Sequence, residues 1–396
     1  MRLSVSRLSE RARSYANTES GGLVMNSRRE RTTGAPSTSE PERRGEDDRG
    51  SKNYFIIDAQ FHHVPSEVYK EVDETVFESK EGRTLQERNR DPHRKANPVT
   101  RRLQDIETSL HHMDECGVDM AMIMMPGWEV AGVEVCSVLN NGLAKAANEN
   151  PGRFLPMAAV PFIEGQRSID ELDRVKNELG MKGVSILTNQ RGIRLDDEQL
   201  RPFFRKVAQL GLPVVVHPPT QERGLWGGTK YDMDGSVSRE YEIIKCFVEV
   251  LRGVLPEFPD LNFVFAHYGG GVPSLLGRIM SWYTPPESAG IPKKEVHLPM
   301  TLREFEEYGF KSYFDTLMDR VYFDMAGTGG WMSEVKHALS VIRPERLAFA
   351  SDYPHEMSRR ADYKTYLEGI KGLDIREEDK RKILGGNMKA LFEVKG

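Results

Sequence analysis

The chain has 396 residues and a formal net charge of −5, with 55 basic residues interspersed among 60 acidic ones, so it lacks the basic face of a nucleic-acid binder. No apolar run approaches the roughly 18 residues of a membrane-spanning helix, which reads as a soluble, cytoplasmic protein. Cys116, Cys136 and Cys246 are widely spaced and form no CxxC pair, so neither a zinc-finger site nor a disulfide framework is suggested.

Residues 1–52 are rich in Arg, Ser, Glu and Gly and nearly free of aromatics. Such a segment buries too little apolar surface to offset the entropy of ordering, so it is expected to be a disordered extension, or to precede a true start at Met25 or later. Residues 53–396 are expected to be the folded domain. There, short apolar runs alternate with helical patterns. The runs are YFIIDA (54–59), GVDMAMIMM (117–125), FLPMAAVPF (154–162), KGVSIL (182–187), LPVVVHP (212–218), LNFVFAH (261–267), VYFDMA (321–326) and RLAFASD (346–352). Near-continuous apolar strands separated by helices predict a parallel sheet covered on both faces, and eight such units predict a closed (β/α)8 TIM barrel. An open doubly wound sheet would carry a glycine fingerprint after its first strand, where Asp58-Ala59-Gln60-Phe61-His62 stands instead. Insertions at 66–102 and 219–239, after the first and fifth strands, fall on the face where a barrel builds its site.

Polar residues close several of these runs. Gln60, His62 and His63 end the first, His217 the fifth, His267 the sixth and Asp352 the eighth. His62 and His217 offer imidazole nitrogens and Asp352 a carboxylate. Three protein ligands with an open position is the usual arrangement of a catalytic metal. No strand end carries a lysine able to bridge two ions, so one divalent ion, Zn2+ or Mn2+, is expected. An ion beside a single Asp leaves a charge of about +1, which favours an anionic ligand. His63 should point away from His62, as strand neighbours do. His355 is expected to support Asp352. Trp226 and Arg223 are candidates for a lid, and Arg101 and Arg102 for a carboxylate clamp. Tyr268-Gly269-Gly270-Gly271 permits a tight turn beside His267, and the methionines of MAMIMM read as core.

IDAQFHHVP, VVVHPP, FPDLNFVFAHYGGGVPSLLGRI and ASDYPHE resemble, in the same order, the motifs of the amidohydrolase superfamily. In detail they are similar to the branch containing aminocarboxymuconate semialdehyde decarboxylase and γ-resorcylate decarboxylase, and NMKALFEV looks like that branch's final helix. The resemblance implies that His62 and His217 are metal ligands, that Asp352 is a ligand that also handles a proton, and that His267 is a catalytic histidine near the metal. It puts Gln60 where the family has its first His or Glu, as a weaker ligand. The implied activity is non-oxidative decarboxylation of a small aromatic or unsaturated carboxylic acid. Hydrolysis by metal-activated water would use the same residues, and Gln60 motivates a third reading, a binding scaffold without catalysis. By analogy with the branch, a homodimer is expected, with the apolar segment FVEVLRGVLPEF at its interface.

Overall fold

The computed structural model of the chain describes residues 54–219, 232–291 and 299–394; the N-terminal extension, Trp226 and Arg223 lie outside them. Each of the eight apolar runs contains or leads into a strand: β1 Ile57–His62, β2 Met120–Met124, β3 Phe154–Ala159, β4 Gly183–Leu187, β5 Val214–His217, β6 Phe263–Phe265, β7 Val321–Asp324 and β8 Leu347–Ala348. β1 begins and ends three residues later than its run, and the other seven strands are shorter than theirs because those runs continue as loops that stay buried, such as Val160 and Phe162 after β3 or Phe349 and Ala350 after β8. All adjacent pairs are parallel and follow chain order. The ring is brought round by backbone hydrogen bonds between β1 and the chain after β8: Ala59 N–H to Phe349 O (2.9 Å), Asp352 N–H to Gln60 O (3.1 Å) and His62 N–H to Tyr353 O (2.7 Å). The expected eight-stranded β/α barrel is therefore the fold.

Period-two alternation divides the side chains between two cores. Met120, Met122, Met124, Val215, Val264 and Ala348 belong to the cluster inside the barrel, whereas Ala121, Ile123, Val214, Val216, Phe263 and Phe265 pack outward against the helices. Met388 and Phe392, from the end of the expected final helix, enter the inner cluster. Gly183 admits them, since a Cβ there would lie 2.6 Å from the Phe392 ring.

β1 departs from simple alternation. Its register against β2 slips between Asp58 and Phe61, so that three steps on β1 face two on β2. Such a bulge bends the strand and re-aims the residues beyond it. Ile57 and Ala59 lie in the inner core, Phe61 in the outer one. Asp58 also faces outward, where it joins β1 to the chain after β8 and to the helix Arg360–Lys371. It accepts from Ser351 N–H (3.0 Å), Ser351 O–H, Tyr363 O–H (2.6 Å) and Gln60 N–H (3.2 Å). Burial raises its pKa to about 6.

The segment after β1 forms four short helices, Ser66–Glu74, Lys80–Arg90, Pro92–Ala96 and Pro98–Gln104. The segment FVEVLRGVLPEF offers no free apolar face, because Phe247, Val250, Leu251, Val254 and Leu255 are buried within the chain. Among the described residues no helix is long and apolar enough to cross a membrane. The three cysteines are free and buried.

Asp58→Ala would strand four donors in a dry seam. At about 1–3 kcal/mol for a buried polar group left unsatisfied, the variant should lose at least about 3 kcal/mol of stability, read as a lower urea midpoint. A wild-type midpoint would contradict this role for Asp58.

Candidate active site

The inward-facing positions at the carboxyl ends of the strands carry the polar groups. His217 continues the inward series of Val215, and Asp352 that of Ala348 and Ala350. On β1 the bulge turns Gln60 and His62 inward together. The Gln60 amide nitrogen lies 3.4 Å from His62 Nε2, 3.3 Å from His217 Nε2, 3.2 Å from His267 Nε2 and 3.2 Å from Asp352 Oδ1. His62 Nε2 is also 2.6 Å from Asp352 Oδ1. All five residues singled out in the sequence thus meet at one point.

Outside contacts turn two of the rings. A carbonyl can only accept, so His217 Nδ1 carries the hydrogen it shares with Pro218 O (2.9 Å), and its Nε2 lone pair faces the centre. Burial, together with the neighbouring His267 and Arg239, holds the His217 pKa well below the ordinary histidine value. His267 Nδ1–H donates to Glu240 Oε1 at 2.8 Å. Burial opposes a charge on His267, but Glu240, Asp352 and Asp324 outweigh it and raise the pKa to about 9. Burial also opposes ionisation of Asp352, yet the His62 hydrogen bond and charge, with His355 and His267, hold its carboxyl well below the usual range.

His267 owes its position to an unusual backbone. His267 to Gly271 all have left-handed φ, from +54° at His267 and Tyr268 to +92° at Gly271. The glycines here are sterically required: a Cβ on Gly270 would lie 2.1 Å from Glu240 O, and one on Gly269 2.8 Å from the Phe323 ring. From the other side, a Cβ on Gly327 would lie 2.5 Å from His267 Cγ. The buried Asp324 at the end of β7 accepts the His267 backbone N–H at 2.9 Å, and burial raises its pKa to about 7.

Three imidazole nitrogens and a carboxylate oxygen are donors suited to Zn2+ or Mn2+. Their fit to an ion shows in the Gln60 side chain. Its amide nitrogen faces these four atoms with two hydrogens, although His62 Nε2, bonded to Asp352, and the charged His267 carry hydrogens of their own, while its Oε1 is buried with no hydrogen-bond partner. A half-turn of the carboxamide would bring Oε1 to the centre. Among the described residues no group of three or more His, Cys, Asp or Glu side chains is arranged to hold a metal ion as it stands; the Gln60 amide nitrogen lies within 3.4 Å of each of these four donors.

A cavity of about 480 Å3 opens onto this centre, lined by His62, His217, Asp352 and His355. Val99, Leu103, Met125 and Trp128 supply the apolar part of its wall, and three arginines, Arg88, Arg94 and Arg239, also face it. Gly127 N–H to the buried Glu129 (2.7 Å) fixes the loop that carries Trp128. No lysine is in the described lining.

Of the other expected residues, His355 lies beside Asp352: its backbone N–H donates to Asp352 O at 2.7 Å and its ring packs edge-on against His62. His63 points away, as expected, and stacks on Phe154. Arg101 and Arg102 do not line the cavity; the Arg101 guanidinium turns outward to Ala96 O. Arg88, Arg94 and Arg239 line the cavity in their place, and the sequence reading missed these three together with Glu240. No strand end or motif marks these four.

The chain is similar to known proteins. A family model described as "Amidohydrolase" matches residues 57–394. The chain is 28% identical over 257 residues to 2-amino-3-carboxymuconate-6-semialdehyde decarboxylase of Dictyostelium discoideum, covering 64% of this chain and 65% of that protein's length. It is 24% identical to γ-resorcylate decarboxylase of a Rhizobium species, covering 74% of this chain and 89% of the relative. A variant of 5-carboxyvanillate decarboxylase from Novosphingobium aromaticivorans, solved with manganese and 3-methoxy-4-hydroxy-5-nitrobenzoic acid, superposes with a TM-score of 0.67 at 22% identity, covering 87% of this chain and 99% of that one.

Glu240→Gln preserves shape and removes the charge that sustains the His267 imidazolium. In the metal-free variant the His267 ring, followed by NMR, should titrate well below about 9. The folded value exceeds the unfolded one of about 6.5, so the associated stabilisation is complete below about pH 6.5 and is lost as pH rises through about 9. The variant should lack that fall in stability. A His267 still charged at pH 8 in Glu240→Gln would contradict the assignment.

Proposed function

The chain belongs to the amidohydrolase family, and from that premise we propose that it is a metal-dependent, non-oxidative decarboxylase of a small aromatic or unsaturated carboxylic acid. The observation that carries this reading is the meeting of three imidazole Nε2 atoms and one carboxylate at a single point facing a half-apolar cavity. Decarboxylases among the relatives and the manganese in a structural neighbour support it.

In this reading His62, His217 and Asp352 hold one divalent ion, with Gln60 as a fourth, weaker oxygen ligand. Mn2+ suits the oxygen donors and Zn2+ the imidazoles. When bound, the ion acts as a Lewis acid towards the oxygen atoms of the acid. The side chains do the rest. The apolar wall of Val99, Leu103 and Trp128 holds the unsaturated body and excludes water from it. Arg239 attracts the carboxylate. His267, with Nδ1 fixed on Glu240, delivers a proton from Nε2 to the carbon that loses CO2, so that a full carbanion does not have to form. Glu240 orients that ring and stabilises its charge. The three buried, unpaired thiols suit a reducing cytoplasm, which we take as the setting.

Metal content of the purified protein, with CO2 release from γ-resorcylate and 5-carboxyvanillate, tests the reading. About one ion per chain is expected, with a large loss of ion in His217→Ala and Asp352→Ala. His267→Asn should keep the ion and lose about a hundredfold or more in turnover. Protein that takes up neither manganese nor zinc would overturn the proposal.

A further inference from the structure

Glu240 meets His267 only while the helix that carries it, Arg239–Glu249, keeps one height and one rotation. The glycine run fixes one face of that helix: a Cβ on Gly270 would lie 2.1 Å from Glu240 O and 3.0 Å from Ile243 Cβ. Glu242 and Glu249 lie on the other face, about half a turn round from Glu240 and two turns from each other. Both carboxylates are largely buried, and one guanidinium engages both. Arg194 Nη1–H donates to Glu242 Oε2 at 2.6 Å, and Arg194 Nε–H donates to Glu249 Oε1. Burial opposes a charge on each; Arg194 outweighs it at Glu242, whose pKa is lowered, but not at Glu249, whose pKa is raised. Lys245 also reaches Glu242 at 3.2 Å, but it belongs to the same helix and ties that helix to nothing outside it.

The other end of this contact is anchored. Asn189–Gln190 and Ile193–Arg194 form a two-stranded antiparallel ribbon after β4, turned by Arg191 and Gly192 at φ +55° and +80°. Paired residues share a face, so Asn189 stands beside Arg194 and its amide also donates to Glu242 Oε2, at 3.3 Å. Gln190, on the opposite face, fastens the ribbon to the barrel loops: its Oε1 accepts Phe162 N–H at 3.1 Å and its Nε2–H donates to Glu129 O at 2.8 Å. We propose that Arg194 is a positioning residue: by gripping Glu242 and Glu249 it seats the helix Arg239–Glu249 against the glycine run, so that Glu240 keeps hold of His267 Nδ1. Without it, two buried carboxylates would share that face of the helix with a lysine of the helix alone. The inference rests on the decarboxylase reading for what His267 does with its proton, whereas the seating itself is a matter of structure.

Solvent exchange of the His267 Nδ1–H, followed by NMR in the full chain, reads how often the Glu240 contact opens. In Arg194→Gln that proton should exchange about tenfold or more faster than in the wild type, as expected when a buried ion pair is broken. The factor should exceed that of the β2 amides, which a general loss of stability would speed equally. Arg194→Lys can still reach one carboxylate and should fall between the two; it takes the place of Arg194→Gln if that variant does not fold. With γ-resorcylate, Arg194→Gln should lower kcat about tenfold at nearly constant KM and add nothing further in the Glu240→Gln background. An unchanged exchange rate at His267, or one that rises no more than that of the β2 amides, would overturn the positioning role. Faster exchange at His267 in a protein that releases no CO2 from any acid would instead count against the decarboxylase reading and leave the positioning role standing.

Discussion

Three backbone hydrogen bonds tie β1 to the residues after β8, and the same few residues carry the chemistry. A barrel closes only if its last strand meets its first in register. Here that register is fixed from outside by Asp58, which gathers Ser351 and Tyr363, and from inside by the bulge that follows it. The bulge lets Asp58 face the helices while Gln60 and His62 both face the barrel axis. Asp352 arrives opposite them because its own N–H is bonded to Gln60 O. Closure of the fold and convergence of the donors are thus one constraint.

From that seam the site is completed by elements that have no freedom to move independently. The left-handed run His267–Gly271 packs against Phe323 and the Glu240 backbone with no room for a Cβ at Gly269 or Gly270. It presents His267 Nε2 to the centre while Glu240 holds Nδ1. Backbone strain of this kind persists only where the surroundings over-determine it. The inner wall is therefore closely packed, whereas the opposite side of the cavity is built by the helices after β1, which carry Arg88 and Arg94.

The barrel and most of its centre were legible in the sequence for a plain reason. Parallel strands buried on both faces are apolar throughout, so a histidine or aspartate ending such a run stands out, as His217 and Asp352 do. Two features were not legible. Alternation alone would put Asp58 on the same face as Gln60 and His62; only the slipped register separates them. Glu240 touches His267 from the first turn of the helix Arg239–Glu249, where neither a strand end nor a motif marks it, and nothing local distinguishes Arg88 and Arg94 from Arg90 and Lys95. That choice is made in three dimensions by Asp73, which pairs with Arg90 and Lys95. The same ignorance led the sequence reading to Arg101 and Arg102, which lie outside the cavity.

The central claim is that the point now filled by the Gln60 amide is a metal site. A crystal structure of the full chain grown with manganese, measured at the manganese absorption edge, addresses it directly. The account predicts one anomalous peak bonded to His62, His217 and Asp352, with the Gln60 carboxamide turned to present Oε1 or moved aside. A manganese-soaked crystal with no peak at the centre, and with the Gln60 amide still among the three imidazoles, would contradict it.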